Sequence, residues 1–219
     1  KTARMYEDLG ILSADSELTD DLTKLFNQLS GFAPQSTYSR LLVAPKTLRP
    51  GIMERIDREI ENAKAGKPSG IQFKLNSILD ETFVEKLYEA SKAGVRVDLL
   101  IRGICAVQPG IKGVSENIHV RSVLGRFLEH SRILHFVNGG KNEYWIGSAD
   151  LMARNLDRRV EALVRVDKKE HQIRLQKLLD LGLSEDVSSW HLKGTQWSKS
   201  SKNLKDLHSD LANKYSKDR

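Results

Sequence analysis

Strand-like and helix-like segments alternate regularly through the first half of the chain, and few fold classes accommodate such a pattern. Short apolar runs bounded by Pro or Gly predict strands, and longer segments with apolar residues every three or four positions predict helices. The predicted elements are a strand at 40–44, a helix at 51–65, a strand at 71–75, a helix at 81–93 and a strand at 95–101. Because short links between such elements imply right-handed crossovers, the alternation predicts an α/β domain with a mixed, largely parallel sheet flanked by helices.

Polar residues follow two of the predicted strands. Asn76 comes after the strand at 71–75, and Arg102 comes after the strand at 95–101, which ends in the continuous apolar run of a central buried strand. Ligands of such sheets collect at the carboxyl ends of the strands, so topology alone makes Arg102 a candidate site residue. The alternative is that Arg102 pairs with a local carboxylate.

A predicted hairpin begins at His130, with Arg132 two residues later. A turn with two glycines separates its first strand from a second strand at 144–146, which Gly147 and Ser148 follow. In an antiparallel hairpin the start of the first strand meets the end of the second. The pattern therefore brings together an imidazole, a guanidinium, a hydroxyl and glycine N–H groups, all of which can handle a phosphoryl group.

Arginine is concentrated around this hairpin. Residues 118–166 hold seven of the sixteen arginines of the chain but one of its nineteen lysines. The seven are Arg121, Arg126, Arg132, Arg154, Arg158, Arg159 and Arg165. The planar guanidinium matches phosphate oxygens two at a time, so the cluster favours anion binding. The alternative is that these arginines form ion pairs with nearby carboxylates such as Glu129, Asp150 and Glu161.

The other histidines carry less signal than His130. His119 and His135 lie within predicted strands and are interpreted as structural residues. Three more lie near the C-terminus and indicate no function: His171, His191 and His208.

Several longer motifs carry a resemblance to a known family. They are Arg126-Phe127-Leu128-Glu129-His130-Ser131-Arg132, Gly147-Ser148-Ala149-Asp150 and Arg154-Asn155-Leu156-Asp157-Arg158-Arg159-Val160-Glu161. A further match, Tyr6-x-Asp8-Leu9-Gly10, lies near the start of the chain. Together these segments strongly resemble the bacterial polyphosphate kinases, and the resemblance extends to about residue 183.

The resemblance implies a domain organisation. The catalytic region of that family consists of two phospholipase-D-like domains, so residues 1–38 are expected to be the C-terminal end of the preceding one. Residues 39–183 are expected to form the C-terminal phospholipase-D-like catalytic domain, and residues 184–219 a tail that is partly helical or disordered. Because the chain begins Lys-Thr-Ala-Arg without Met, we expect a fragment.

The resemblance also implies an activity, which is reversible transfer of the terminal phosphate of ATP to polyphosphate through a phosphohistidine and with Mg²⁺. The phosphorylated histidine of the family belongs to a motif upstream of Lys1. We therefore expect the fragment alone to be inactive and the Mg²⁺ ligands to lie outside it. His130 is expected to be a second histidine that acts as a proton donor or phosphate ligand.

Five further residues are expected to bind ATP or phosphate. Arg102, Arg154, Arg158 and Arg159 supply cations in that role. Tyr6 is placed at the nucleotide phosphates by the resemblance alone, because its own pattern favours a half-buried strand tyrosine. The expected partners are ATP, ADP, polyphosphate, the protein's own N-terminal domains and, in the complete enzyme, further copies of itself.

The motifs depart from the general phospholipase D pattern. The usual H-x-K is His130-x-Arg132 here, and the Asn that ends G-S-x-N is Asp150. These departures suit a kinase and disfavour a phosphodiesterase, which stays open as an alternative.

The other alternative is an anion- or nucleic-acid-binding module, which calls for exposed aromatics among the cations. At 6% aromatic residues, the chain offers few of them, and no specific nucleic-acid partner is expected.

Charge and cysteine content bound the location and partners. The formal net charge of +6 favours an anionic partner without choosing among polyphosphate, nucleotide, nucleic acid and a membrane surface. The single cysteine, Cys105, excludes an internal disulfide, is interpreted as an inert buried residue and is consistent with the cytoplasm. No apolar run approaches the ~20 residues of a membrane span. The expected location is cytoplasmic, with peripheral membrane association left open.

Overall fold

The computed structural model describes residues 2–32, 37–200 and 204–216. Its strands are β1 (Tyr6–Glu7), β2 (Leu41–Val43), β3 (Ile71–Leu75), β4 (Val97–Ile101), β5 (Ile118–Ser122), β6 (Leu128–Glu129), β7 (Arg132–Phe136), β8 (Glu143–Gly147), β9 (Ala162–Val166), β10 (Trp190–Lys193) and β11 (Gln196–Lys199). Its α-helices are α1 (Ser16–Leu29), α2 (Leu48–Lys64), α3 (Glu81–Lys92), α4 (Lys169–Leu183) and α5 (Leu207–Ser216). None of the helices in these ranges combines the length and apolarity needed to cross a bilayer. The predicted linker around Pro34 falls outside the described residues.

The ends of the two predicted helices follow from local chemistry. Asp80 caps α3 by accepting the backbone N–H of Phe83 at 3.3 Å, and Gly66 and Gly94 follow α2 and α3 with positive φ angles of 66° and 90°. Helix α2 begins at Leu48, three residues before the predicted start, because proline is tolerated in the first turn of a helix. The sequence therefore predicts the interior of both helices and the start of α3 at Glu81, and it misses only the first turn of α2.

Nine strands form one sheet in the order β11-β10-β5-β4-β3-β7-β8-β9-β2. The predicted α/β class with a mixed, helix-flanked sheet is confirmed. This sheet is not largely parallel, however, because only the β3–β4 and β4–β5 pairs within it are parallel. Strands β7, β8 and β9 instead follow one another antiparallel, and the short connection between β7 and β8 allows only that arrangement.

Helices cover both faces of the sheet, and the two faces of β4 show how. Leu99 and Ile101 point into a core shared with α2 and α3. Leu100 points to the opposite face, where it joins a second core that contains Leu175 and Leu179 of α4. This period of two along a buried strand places apolar side chains in both cores, so β4 is apolar throughout its second half.

The N-terminal segment is attached to the rest of the chain at two places, and β1 and β6 form a separate two-stranded sheet. Strand β1 pairs in parallel with β6, and α1 is held through the fully buried carboxylate of Asp21. That carboxylate accepts the backbone N–H groups of Ser39 and Arg40 at 2.8 and 2.6 Å, just before β2. The domain boundaries predicted at residues 38 and 183 stay predictions.

The C-terminal segment is more ordered than its composition suggests. Strand β10 pairs with β5 and β11 pairs with β10, so residues 190–199 extend the sheet, which sequence periodicity did not indicate. The predicted helical part is α5, whose Leu207 joins the core on the α4 side.

Candidate functional site

A cavity of about 730 Å³ opens at one edge of the sheet. The carboxyl ends of β3 and β4, the start of β7 and the end of β8 all meet there, which is the edge that the strand topology predicts. Four of the predicted site residues line it, namely Arg102, His130, Arg154 and Arg159. The predicted hairpin thus brings His130 beside Gly147 and Ser148, and the crossover strands add Arg102.

The other two predicted residues lie beside the cavity rather than in its wall. The ring of Tyr6 meets the ring of His130 edge to face, with 5.0 Å between the centroids. Arg158 is exposed at the end of the turn that carries Arg154 and is not part of the lining.

His130 is held by the N-terminal segment. Its backbone N–H donates to the carbonyl of Glu7 at 3.0 Å, and its Nδ1 lies 2.8 Å from Oδ2 of Asp8. Because a carboxylate only accepts, Nδ1 carries the hydrogen, and Nε2 is the ring nitrogen left for a ligand. Burial alone would raise the pKa of Asp8, but its hydrogen bonds with His130 and the Leu9 N–H lower it below the ordinary value. Asp8 therefore stays ionised and orients the imidazole.

Arg132, the basic residue of the motif, has a different position from the one its sequence suggests. It is buried, donates from Nη1 to the carbonyl of His130 at 2.7 Å, and pairs from Nη2 with Oδ2 of Asp150 at 3.1 Å. Asp150 also accepts the backbone N–H groups of Asn76 and Ser77 at 2.8 and 3.2 Å. For Arg132 the ion-pair alternative is correct, and this arginine shapes the floor of the cavity instead of offering a free cation.

The remaining arginines of the cavity are much freer. Among the described residues, Arg102, Arg154 and Arg158 have no carboxylate within ion-pair distance, and Arg159 reaches Glu161 only at 4.0 Å. The three carboxylates of the lining are already engaged: Asp8 with His130, Asp150 with Arg132, and Glu161 with Asn155. The cavity therefore presents unneutralised guanidinium groups, which suits an anion with several oxygens.

The turn that carries Arg154 and Arg158 is held from both sides. It is a single π-helical turn, Arg154–Arg158, inside which Asn155 is buried and donates to Glu161 at 2.7 Å. Asp157 on the outer side pairs with Arg49 of α2 at 2.7 Å. These two contacts fix the backbone of the turn, while Arg154 and Arg158 themselves have no carboxylate partner in the part of the chain that the structure describes.

The Gly147-Ser148 segment differs in part from its predicted role. A Cβ on Gly147 would lie 2.0 Å from the carbonyl oxygen of Ala162, so only glycine fits where β8 meets β9. The N–H of Ser148 already donates to that same carbonyl at 3.1 Å and is not free to hold a phosphate. The exposed hydroxyl of Ser148 accepts the Ala162 N–H at 3.3 Å and still has its own hydrogen to donate.

The described residues do not fit a complete Mg²⁺ site. Among them, no three His, Cys, Asp or Glu side chains are grouped so as to hold a metal ion. Hard cations need several free carboxylate or carbonyl oxygens, and the carboxylates of the cavity each have a cationic or amide partner. No chemical step is therefore assigned to a metal bound by this chain alone.

Residues interpreted as structural lie away from the cavity. His135 is buried, with Nδ1 and Nε2 each 2.8 Å from an amide oxygen, of Gln72 and Asn142 respectively, and its ring stacks on Tyr144 at 4.3 Å. Burial raises the pKa of the Cys105 thiol to about 11, in keeping with an inert cysteine. Sequence reasoning missed Asp8 as the partner of His130 and named Asp150 only as one of several possible partners of the arginines. A motif does not show which cation each carboxylate meets.

Comparison with known proteins assigns the fold and the motifs to one family. The family described as "Polyphosphate kinase C-terminal domain 2" matches residues 41–210. A polyphosphate kinase of Streptomyces coelicolor is 57% identical over 192 residues, which are 88% of this chain and 26% of that protein. One of Prochlorococcus marinus is 52% identical over 193 residues, 88% of this chain and 27% of that protein.

A solved structure agrees with these sequence relatives. The crystal structure of polyphosphate kinase from Porphyromonas gingivalis matches with a TM-score of 0.86 and 34% identity, over 94% of this chain and 32% of that chain. The present chain thus spans about a quarter of the length of the curated relatives.

Proposed function

This chain belongs to the polyphosphate kinase family, as its motifs indicated, and we propose that its cavity holds phosphate groups of ATP or polyphosphate during phosphoryl transfer. The observation that carries the proposal is an imidazole whose Nε2 has no hydrogen-bond partner among the described residues, surrounded by arginines of which Arg102 and Arg154 have no carboxylate partner among them. The full-length protein would reversibly transfer the terminal phosphate of ATP to polyphosphate. The covalent phosphohistidine would form on a histidine outside this sequence.

His130 would act on the phosphoryl group as a proton donor or phosphate ligand. Asp8 holds the hydrogen on Nδ1 and stabilises the charged ring, so a proton on Nε2 can pass to an oxygen of the leaving or entering phosphate. Arg102 and Arg154 would stabilise the charge that spreads over the phosphoryl oxygens in the transition state. Neither arginine has to leave a carboxylate in order to do so.

The residues at the rim would extend phosphate binding. Arg159 is exposed in the wall of the cavity and Arg158 is exposed beside it, and both would contact phosphates farther along a chain. Tyr6 is 42% exposed and would reach the nucleotide phosphates from its position against His130. Mg²⁺, if it accompanies the phosphates, would need ligands from outside the described residues.

Phosphate chains fit the site better than nucleic acid does. Single-stranded nucleic acid binds where exposed aromatic rings alternate with cations, since its bases stack. Among the aromatic residues near the motif, Phe136, Tyr144 and Trp145 are almost completely buried at 0%, 4% and 2% exposure, Phe127 is half-buried, and Tyr6 is 42% exposed. Most rings near the cations are thus covered and offer little stacking surface, which favours an anion that has no bases.

The test is thermal unfolding of the 219-residue chain with polyphosphate at low and high salt. A bound anion raises the melting temperature, and salt weakens the effect because the contacts are ionic. Arg102→Ala should remove most of the shift. Arg96→Ala is the matched control because Arg96 precedes β4 at the opposite edge of the sheet, whereas Arg102 follows it. An unchanged shift in Arg102→Ala, or equal protection by single-stranded DNA, would contradict the proposal.

A further inference from the structure

A buried charged network lies directly behind His130 and has no part in the chemistry described above. Glu129 immediately precedes His130 and is 7% exposed. Its Oε1 lies 2.6 Å from Nε2 of His208, a residue of α5 that is 2% exposed, and its Oε2 forms an ion pair with Lys74. A histidine near the C-terminus therefore contacts the residue next to the proposed catalytic histidine.

The tautomer of His208 follows from the two partners of its ring nitrogens. Its Nδ1 accepts the backbone N–H of Phe127 at 3.1 Å, so the ring hydrogen is on Nε2 and is donated to Glu129. The ring also lies edge to face against Phe127, with 5.6 Å between the centroids. A Cβ at position 125 would lie 2.4 Å from Nδ1, so Gly125 is needed for this close approach. His208 thus holds the loop that leads to His130 at several points.

The network continues to the other side of His130. Lys74 pairs with Glu7 at 2.9 Å as well as with Glu129, and the carbonyl of Glu7 accepts the N–H of His130. Burial alone would raise the pKa of Glu129, but the hydrogen bond from His208 and the charge of Lys74 hold it well below the ordinary range. The carboxylate is therefore ionised, and losing its donor would leave a buried charge undersatisfied.

We propose that His208 is a positioning residue for His130, and that its hydrogen bond to Glu129 is the contact through which α5 keeps the imidazole aligned with Asp8. This inference rests on the proposed function of His130. It makes α5 a structural part of the site although none of its residues lines the cavity. The phosphate-binding arginines are on other elements, so the loss of His208 should affect the chemical step and leave binding unchanged.

The kinetic test uses a full-length polyphosphate kinase that carries this sequence. His208→Asn keeps an acceptor for the Phe127 N–H but cannot reach Glu129, and it should lower kcat about 10²-fold, the scale of a 1 Å misplacement. KM for ATP and polyphosphate should stay within about twofold, because the arginines are untouched. His208→Gln places an amide N–H near the original Nε2 and should recover most of kcat. His191→Gln, a change of another histidine in the C-terminal segment, should leave kcat unchanged.

A second measurement does not depend on turnover. In the 219-residue chain labelled with ¹⁵N-histidine, the ring signals of His130 should shift in His208→Asn and return towards the parent in His208→Gln. If His208→Asn lowers only the melting temperature, with kcat per folded molecule and the His130 signals unchanged, His208 is merely structural. If His130→Gln itself keeps normal turnover, the proposed function fails, and the two failures are thus distinguishable.

Discussion

The two ends of strands β4 and β7 carry the same residue types in opposite circumstances. At the cavity end, Arg102 has no carboxylate partner among the described residues, and His130 keeps one ring nitrogen free. At the other end, Arg96 donates to Asp98 at 2.9 Å, and both ring nitrogens of His135 have amide partners. Residue type is therefore a poor guide to function, and the degree to which each polar group is already satisfied is a better one.

The difference has a physical cause. A polar group that is satisfied inside the protein gains little by binding a ligand, because it would have to exchange one hydrogen bond for another. Arg102 donates only to the neutral amide of Asn76 at 3.3 Å, so it can bind phosphate without giving up a carboxylate. The variants below compare the two ends of the strands directly.

The largest difference between a variant at the cavity end and its counterpart at the other end should appear in turnover. His130→Gln in the full-length enzyme should reduce turnover per folded molecule by roughly 10²–10⁴-fold, the contribution of a proton donor or oxyanion partner. His135→Gln should reduce stability instead, since it disturbs a buried ring stacked on Tyr144. The measurement is turnover divided by the folded fraction of each variant, and an equal fall in both would remove the catalytic role of His130.

The next difference should appear in stability. Asp150→Ala leaves Arg132 buried without its partner, which should lower the free energy of unfolding by about 3–5 kcal/mol. Asp98→Ala at the opposite end should cost only about 0–1 kcal/mol, because its partners Arg96 and His119 are exposed to water. Urea unfolding of both variants is the check. A small loss in Asp150→Ala would show that Arg132 finds solvent or another acceptor.

Polyphosphate affinity should separate the two arginines of β4. Lysine keeps the charge but not the planar fork, so Arg102→Lys should lose at least one charged hydrogen bond, about 1.4 kcal/mol or tenfold in Kd. Arg96→Lys should change the affinity less than about twofold. Titration calorimetry on the 219-residue chain measures both constants, and similar losses would place the binding site elsewhere.

The smallest difference should appear in the pH dependence of stability. Burial lowers the pKa of His135 below its ordinary 6.5, so the unfolded chain takes up the proton first. Stability is therefore lost as pH falls through 6.5 towards the folded-state pKa, and His135→Gln should remove that loss.

The pKa of Asp8 is instead lowered from 3.8. Its contribution is present above pH 3.8 and is lost as pH falls through the folded-state pKa. Because Asp8 is largely exposed, Asp8→Asn should cost less than about 1 kcal/mol at neutral pH and nothing below that range. Unfolding curves of the parent chain, His135→Gln and Asp8→Asn, recorded between neutral and acid pH, test the pH ranges predicted for both groups. If the difference in the free energy of unfolding between the parent and Asp8→Asn were the same at all pH values, the contact with His130 would not depend on the charge of Asp8.

Local patterns were sufficient to predict the helices, the hairpin and the edge of the sheet where a ligand would lie. Apolar periodicity, the cap at Asp80 and the glycines at 66 and 94 depend on residues close together in the chain. The meeting of His130 with Gly147 follows from hairpin geometry alone. Arg102 lies at the same edge because strands joined by a crossover helix are parallel, so their carboxyl ends are at one edge of the sheet.

The pairing of charges, in contrast, was decided only by the tertiary structure. Asp8 and His130 are 122 residues apart, and Glu129 and His208 are 79 apart, so no local pattern relates them. The sequence could not show that Arg132 is buried against Asp150, while Arg102 has no carboxylate partner among the described residues. Both arginines lie in motifs that suit phosphate binding. Whether each one is available to a ligand depends on the burial and the partners that the folded chain provides.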